Sequence, residues 1–446
     1  MPSEKQTEKV GLFQLSWRPQ GIAIVSSLFG WMLDSMDLVI TLVVLAAVSS
    51  LFFVHLTGVA LATAIASTYI IAIYARPIGS LIFGHYADKL GRKTLLLITV
   101  SGYGGLTIIL GLIPTVVQIG ITALVLLYVI RFIQGLFIGG EYAAGYPLAM
   151  EFLRPYQRGF WSGVLQSGYP FGYALASGIT AAMLTAFPGP SFSVWGWRLA
   201  FIIAGLIPLV VFLPVRLRLV ESELWAKTVK EKGVEKSPAK TLFTERRSLM
   251  AFLRVFLVSF GVFISYLMIL GMLPGIYAMY KYPPSAVADE VLLVATLILG
   301  FLYWVSGHLS QLLGRRVWWW IISALGFIVW PLWYALVGAL TAHNLPMVWL
   351  WTILLVWLGV WQWGPIPAYL SEMFRTRVRA TGVGFGYSSG IIIAGFYAFY
   401  AEWLGSVIGY INAIALLGII GYIAIIIGAY LSPETKDLDL EKTEYM

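Results

Sequence analysis

Gly84-His85-Tyr86-Ala87-Asp88-Lys89-Leu90-Gly91-Arg92-Lys93 returns in degraded form as Gly307-His308-Leu309-Ser310-Gln311-Leu312-Leu313-Gly314-Arg315-Arg316. The offset is 223 residues in a chain of 446. Each copy closes a long apolar run, and another apolar run follows it. A basic turn duplicated between two membrane spans marks an internal two-fold repeat in a bilayer. Repeats of that kind belong to transporters.

Composition agrees with a bilayer. The chain is 59% hydrophobic and 11% charged, against about 25% charged in a soluble domain. Twelve apolar runs reach or approach the roughly 20 residues of a spanning helix. They cover 21–47, 59–84, 94–114, 119–149, 159–187, 197–216, 250–280, 288–309, 317–340, 346–370, 381–404 and 409–431. The expected fold is an all-α membrane protein of twelve transmembrane helices in two six-helix bundles, 1–216 and 250–446. A charged cytoplasmic linker, 217–249, joins them, either as short helices on the membrane surface or as a solvated strap.

The net charge of +8 would suit nucleic acid, but its placement argues otherwise. With the first tail in the cytoplasm, the inner loops and tails hold 25 of the 29 Lys and Arg. The outer loops hold Arg198 and Lys281, and Arg76 and Arg131 lie within runs. Positive charge concentrates on the cytoplasmic side, so both termini are expected there, in the cell membrane. The first 20 residues carry Glu4, Lys5, Glu8, Lys9 and Arg18 and lack an apolar core; no cleaved targeting peptide is expected. The absence of cysteine excludes disulfides, thiolate metal sites and a cysteine nucleophile. The histidines at 55, 85, 308 and 343 are not spaced as metal ligands. Gly102, Gly104 and Gly105 lack the lysine of a phosphate loop. Neither metal, cofactor, ATP nor an enzyme reaction is expected.

The repeat extends past the turn. Glu151, Arg154 and Arg158 recur as Glu372, Arg375 and Arg379 at an offset of 221 residues. The offset returns to 223 for Gly159/Gly382 and Gly163/Gly386. With Gly390, these glycines repeat at four-residue spacing, which lets helix backbones approach closely in lipid.

These motifs resemble the major facilitator superfamily. Gly84, Asp88, Lys89, Gly91, Arg92 and Lys93 match its signature turn between spans two and three. The second copy keeps Gly307, Gly314, Arg315 and Arg316 but has Gln311 in place of the acid. Arg131-Phe132-Ile133-Gln134-Gly135 resembles the family pattern of span four. Arg76-Pro77-Ile78-Gly79 and Gly139-Gly140-Glu141 are similar to metabolite:proton symporters. Leu33-Asp34-Ser35-Met36-Asp37, Ser162–Pro170 and Gly196-Trp197-Arg198 look most like sialate:proton symporters, a family that includes carriers of lactate, pyruvate and sugar acids. Sugar porters share the turn and the Glu372–Arg379 loop.

A charge at mid-bilayer costs about 2.5–3.5 kcal/mol on insertion scales, so a buried ionisable group is a functional candidate. Asp34, Asp37, Arg76, Arg131 and Glu141 lie deep, all in the first half. Asp34 and Asp37 are three apart and share a helix face. At 1.5 Å per residue, Asp34 sits roughly 20 Å from the inner end and Arg131 roughly 18 Å from the outer end. Both are near the midplane. An arginine facing two acids would hold one carboxylate charged and leave the second, crowded by a like charge, to take up a proton. The bland alternative is a static pair joining two helices. Arg76 and Glu141 match in depth and are expected to pair, as a structural or gating contact or as part of the proton path. Asp88 would accept bonds from amides at a helix start, or pair with a base, and so latch one state. Arg92 and Lys93 would latch too, or anchor at headgroups.

The expectation is a monomeric carrier that alternates access and couples protons to a small organic anion: a monocarboxylate such as lactate or pyruvate, or a sugar acid. Arg131 would clamp the carboxylate. Tyr169, Tyr266, Trp361 and Trp363 would wall the site, with Gln166, Gln362 and Asn412 as neutral polar contacts. A proton-coupled sugar carrier is the first alternative, and a non-transporting sensor the second.

Overall fold

The computed structural model describes Leu12, residues 14–54, Leu56 and residues 58–441. The charged tail 1–11, His55 and the end of the chain from 442 lie outside the described residues. Among the described residues every regular element is a helix, as a lipid-facing backbone requires, since only internal bonds can satisfy its polar groups. Among the described residues eleven helices are long and apolar enough to cross a membrane. With the two pieces of the remaining run, they are numbered α1 (Pro19–Ala47), α2 (Ala64–Leu90), α3 (Arg92–Leu112), α4 (Ile121–Phe152), α5 (Pro155–Gln166), α6 (Gly168–Ala186), α7 (Phe192–Leu217), α8 (Arg246–Tyr280), α9 (Val287–Leu313), α10 (Arg315–Thr341), α11 (Leu345–Met373), α12 (Thr376–Ile408) and α13 (Tyr410–Leu431).

The run expected at 159–187 is not one helix. It divides at Ser167 into α5 and α6. Pro170 has no N–H to offer the carbonyl one turn before it. Gly168, Gly172, Ser177 and Gly178 make the stretch less apolar than its neighbours. Proline has the same effect in α11, where Pro365 and Pro367 follow a tightened turn at Trp361–Trp363.

Glycine sets how closely helices meet. A Cβ on Gly79 of α2 would lie 2.1 Å from the Leu136 carbonyl oxygen of α4, and one on Gly163 of α5 would lie 2.0 Å from that of Tyr303 in α9. The second contact joins the two halves of the chain. The duplicated turn shows the repeat in three dimensions. Gly91 and Gly314 hold φ of +99° and +101°, a region that side chains rarely adopt. After each, an acid caps the next helix. Glu221 accepts from the Lys93 amide at 3.0 Å. Glu434 accepts from the amides of Arg315 and Arg316 at 2.9 and 3.0 Å.

The linker forms two short helices, Glu223–Lys232 and Pro238–Thr244. It is packed against the turn and is not a solvated strap. Trp225 donates its indole N–H to the Asp88 carbonyl at 3.0 Å, and Leu242 is fully buried. The largest apolar core belongs to the second half, yet it takes in Trp31, Tyr142 and Tyr146 from the first. Tyr142 stacks on Tyr387 of α12, with centroids 3.7 Å apart.

A candidate transport site

The charges that the sequence places deep in the first half, with Arg216, form two pairs and leave two single groups. Asp37 on α1 faces Arg131 on α4, 3.2 Å apart and both fully buried. Gln134 donates to Asp37 at 2.9 Å and accepts from Arg131 at 2.9 Å. Thr107 of α3 donates to the same carboxylate, and the Thr68 carbonyl accepts from Arg131 Nε at 3.2 Å. The i, i+3 spacing of Arg131 and Gln134 puts both on one helix face.

Arg131 does not bridge both acids. Asp34 is fully buried, and neither of its carboxylate oxygens has a hydrogen-bond partner. The charges that act on it are Glu141 of α4, Arg76 of α2, Arg216 of α7 and Asp37.

The expected Arg76–Glu141 pair does not form. Glu141 is held bidentately by Arg216, which is fully buried. Thr99 also donates to Glu141, at 2.9 Å. Arg216 counts in the sequence among the inner-loop charges at the end of a run. The long guanidinium instead reaches back into the bundle. Matched depth therefore chose the wrong base, because depth along a helix says nothing of which way round the axis a side chain points.

Arg76 is left without an acid. It is 5% exposed, and no described carboxylate lies within ion-pair distance. Its Nε and Nη2 have no hydrogen-bond partner. Its guanidinium lies 5.2 Å from the ring centroid of Trp31 and 5.7 Å from that of Tyr387. A desolvated cation–π contact contributes about 2 kcal/mol. Burying an ion costs several kcal/mol even after relaxation. Two rings offset part of that cost and leave the cation short of a counter-charge.

Arg76 lines a cavity of about 60 Å³ between the halves. Trp31, Tyr69, Gln166 and Tyr169 line it from the first half, and Phe263, Tyr266, Tyr303, Trp363 and Tyr387 from the second. Tyr69 and Tyr169 share a hydrogen bond of 3.2 Å between their hydroxyls, and Gln166 accepts from Tyr146 at 3.1 Å. Thus Gln166, Tyr169, Tyr266 and Trp363 of the sequence-derived site come together. Arg131, Trp361, Gln362 and Asn412 do not line the cavity. Trp361 packs on Trp318, with centroids 5.3 Å apart. Gln362 donates to Ser265 at 2.7 Å. Asn412 accepts from Tyr334 at 2.7 Å at the start of α13. Trp31 and Tyr387 were missed. Trp31 is three residues before Asp34 and so on its helix face, which was a usable signal.

The motif residues close one end of the molecule. Asp88 accepts from the amides of Ala380 and Thr381 at 3.0 and 2.9 Å and from the Thr381 hydroxyl at 2.8 Å. A carboxylate at the start of the α-helical stretch of α12, which begins at Arg379, is favoured by the helix dipole. Arg92 meets Glu151 and Asp88, each at 3.3 Å, and donates to the Thr376 carbonyl at 2.8 Å. Arg315–Glu372, at 3.0 Å, repeats Arg92–Glu151 in the second half. Arg379 crosses between halves to Glu151 at 2.6 Å. Arg158 donates to the carbonyls of Met150 and Leu438 at 3.2 and 2.6 Å. Arg375 pairs with Glu245 of the linker. Gln311, which stands where the first copy has Asp88, accepts from the Gly159 amide at 3.1 Å.

Comparisons with known proteins agree with this architecture. The chain is 34% identical over 343 residues to the inner membrane metabolite transport protein YhjE of Escherichia coli, covering 76% of this chain and 77% of that protein. It is 28% identical over 351 residues to the proline/betaine transporter of the same organism, covering 76% and 68%. The structure superposes on the proton:xylose symporter XylE bound to 6-bromo-6-deoxy-D-glucose with a TM-score of 0.76 at 19% identity, covering 95% of this chain and 98% of that one. Against a partially occluded inward-open form of XylE the TM-score is 0.63. The protein is thus a metabolite transporter and not an enzyme. Residues 21–328 match the Major Facilitator Superfamily, and the chain belongs to it.

Proposed function

We propose that this chain is a proton-coupled symporter of a small organic anion. The observation that carries the reading is the pair of single buried charges: Asp34, whose carboxylate has no partner, and Arg76, which lines the cavity between the halves. A buried acid without a partner is stable as the neutral, protonated group. A buried base without a partner favours an anion. Proton and anion then support each other's binding.

Asp34 carries the proton. The groups that bear on it are Glu141, Arg76, Arg216 and Asp37, together with the hydroxyls of Tyr103, Tyr146 and Tyr387. Asp37, held by Arg131, Thr107 and Gln134, organises α1 against α3 and α4. The halves 1–216 and 250–446 rock about the cavity, and α5–α6 counts as the twelfth span. The termini are cytoplasmic and the working unit is a monomer in the cell membrane. Closure of the motif end by Asp88, Arg92, Glu151 and Arg379 is one of the two alternating states.

A second reading has one observation in its favour. The tyrosine hydroxyls and Gln166 in the cavity are neutral groups of the kind that a sugar binds, and XylE is a proton:xylose symporter. Uptake into liposomes separates the two. Under an inward proton gradient, small carboxylates are expected to accumulate and neutral sugars not to. Asp34→Asn is expected to lose accumulation while keeping counterflow, which needs no net proton movement. Normal accumulation by Asp34→Asn would refute the proton role.

A further inference from the structure

We propose that Arg76 is the receptor for the substrate's charged group, and that the cavity selects monocarboxylates with a short apolar body. The proposal rests on the anion-symport reading and names the substrate class for that site.

Arg131 is the obvious candidate in the sequence, but it is already ion-paired with Asp37, and only its Nη2 lacks a partner. Asp37, Gln134 and the Thr68 carbonyl occupy Nη1 and Nε, and it does not line the cavity. Arg76 is the reverse case. It is buried on the cavity wall, its Nε and Nη2 have no partner, it meets the rings of Trp31 and Tyr387 and the Tyr387 hydroxyl, and no carboxylate pairs with it. A guanidinium presents parallel donors that match the two oxygens of a carboxylate. Such a ligand would satisfy the orphaned nitrogens and supply the missing counter-charge together.

The rest of the wall sets the remainder of the ligand. Arg76 is the only cation among the described residues that line the cavity. A second carboxylate would be buried without a partner and is selected against. The apolar part of the wall includes Trp31, Ile73, Phe263, Leu267, Trp363 and Ile391, which suits a body of carbon and hydrogen. The hydroxyls of Tyr69 and Tyr169 bond to each other, and Gln166, Tyr266, Tyr303 and Tyr387 add further neutral groups that suit a hydroxyl or keto oxygen. The volume, about 60 Å³, compares with the roughly 10–15 Å³ that one water requires. That favours a skeleton of a few atoms over a hexose-sized acid. Lactate, pyruvate and propionate have the required form; succinate and gluconate do not.

The test is isothermal titration calorimetry on the purified full chain in detergent, with lactate, pyruvate, propionate, lactamide, succinate, gluconate and xylose. Monocarboxylates are expected to bind, and lactamide, which lacks the charge, to fail. Arg76→Gln is expected to weaken lactate about 100-fold, the equivalent of two charge-assisted hydrogen bonds. Arg76→Lys, which keeps the charge and loses the fork, should fall between. Arg76→Gln breaks no ion pair among the described residues but removes the cation that balances Asp34, so its melting temperature without ligand is checked for whether it drops. If it does, Arg76→Lys carries the test. The double variant Asp37→Asn/Arg131→Gln removes the other pair together and should still bind lactate. Lactate binding that survives Arg76→Gln but is lost in that double variant would overturn the role of Arg76 and leave anion symport standing. Succinate or gluconate binding as tightly as lactate would overturn the selectivity. Xylose binding with no carboxylate binding would overturn both the receptor and the anion reading.

Discussion

Glu141 shows what a buried charge demands of its neighbours. Its carboxylate takes both ends of the Arg216 guanidinium and the Thr99 hydroxyl. Removing one partner of such a pair costs about 3–5 kcal/mol, because the other charge stays buried alone. Glu141→Gln and Arg216→Gln should each lower stability by that order. The double replacement should lose less than the sum, with a coupling of about 0.5–3 kcal/mol. Thermal melting in detergent checks this, and additive losses would show that the pair does not act as a unit. The same cycle on Arg76 and Glu141 should be close to additive, since no direct contact joins them. Sequence depth identified every one of these side chains as buried and charged except Arg216, which lies at the end of its run. The partner choices came from rotation about the helix axes, which a single sequence does not contain.

At the scale of the element, the start of α12 is the point where one copy of the repeat acts and the other does not. Asp88 supplies three accepted bonds to its first turn. At the equivalent place Gln311 meets one amide of α5. Asp88→Asn removes the charge from a helix start, where bonds to a charged group contribute about 1.5–3 kcal/mol each at most and the dipole adds less. A loss of even 1.4 kcal/mol shifts an equilibrium tenfold. The expected outcome is a larger population with the motif end open. The chain has no cysteine, so single cysteines at either mouth report it by their labelling rates. Equal rates in wild type and variant would leave Asp88 with no part in closure. The turn was recognisable in sequence because its glycines and charges are local. That α12 receives the acid is a contact 292 residues away, set by how the halves pack.

For the whole molecule the balance of charge matters more than any one contact. Asp37–Arg131 and Glu141–Arg216 are neutral as pairs. Asp34 and Arg76 balance each other across the site. A monocarboxylate on Arg76 leaves one negative charge too many unless Asp34 takes a proton. One proton per carboxylate restores the balance, and the loaded carrier then moves no net charge. Uptake should therefore respond to a proton gradient and be insensitive to a potassium diffusion potential imposed with valinomycin. Each elementary charge moved is worth about 2.3 kcal/mol per 100 mV, so a marked acceleration by an inside-negative potential would mean that more than one proton enters with each anion.

The sequence by itself determined what local chemistry and periodicity can determine. Apolar runs of bilayer length dictate helices, because lipid offers no partner to a backbone amide. The duplicated Gly84–Lys93 turn and the recurrence of Glu151, Arg154 and Arg158 established the two-fold repeat. The same recurrence placed Arg92–Glu151 and Arg315–Glu372 at equivalent points. Depth and charge set Arg131 opposite the two acids of α1 without choosing between Asp34 and Asp37. The tertiary structure alone decided that Ser167 divides a run, that Arg216 takes Glu141, and that Arg131 is closed off while Arg76 opens on the cavity. It alone brought Tyr387 across from the other half to stack on Tyr142 and cover Arg76. The physical reason is common to all of these. A sequence specifies height along each helix, whereas partnership depends on azimuth, tilt and the seam between halves, which close only when all the helices pack together.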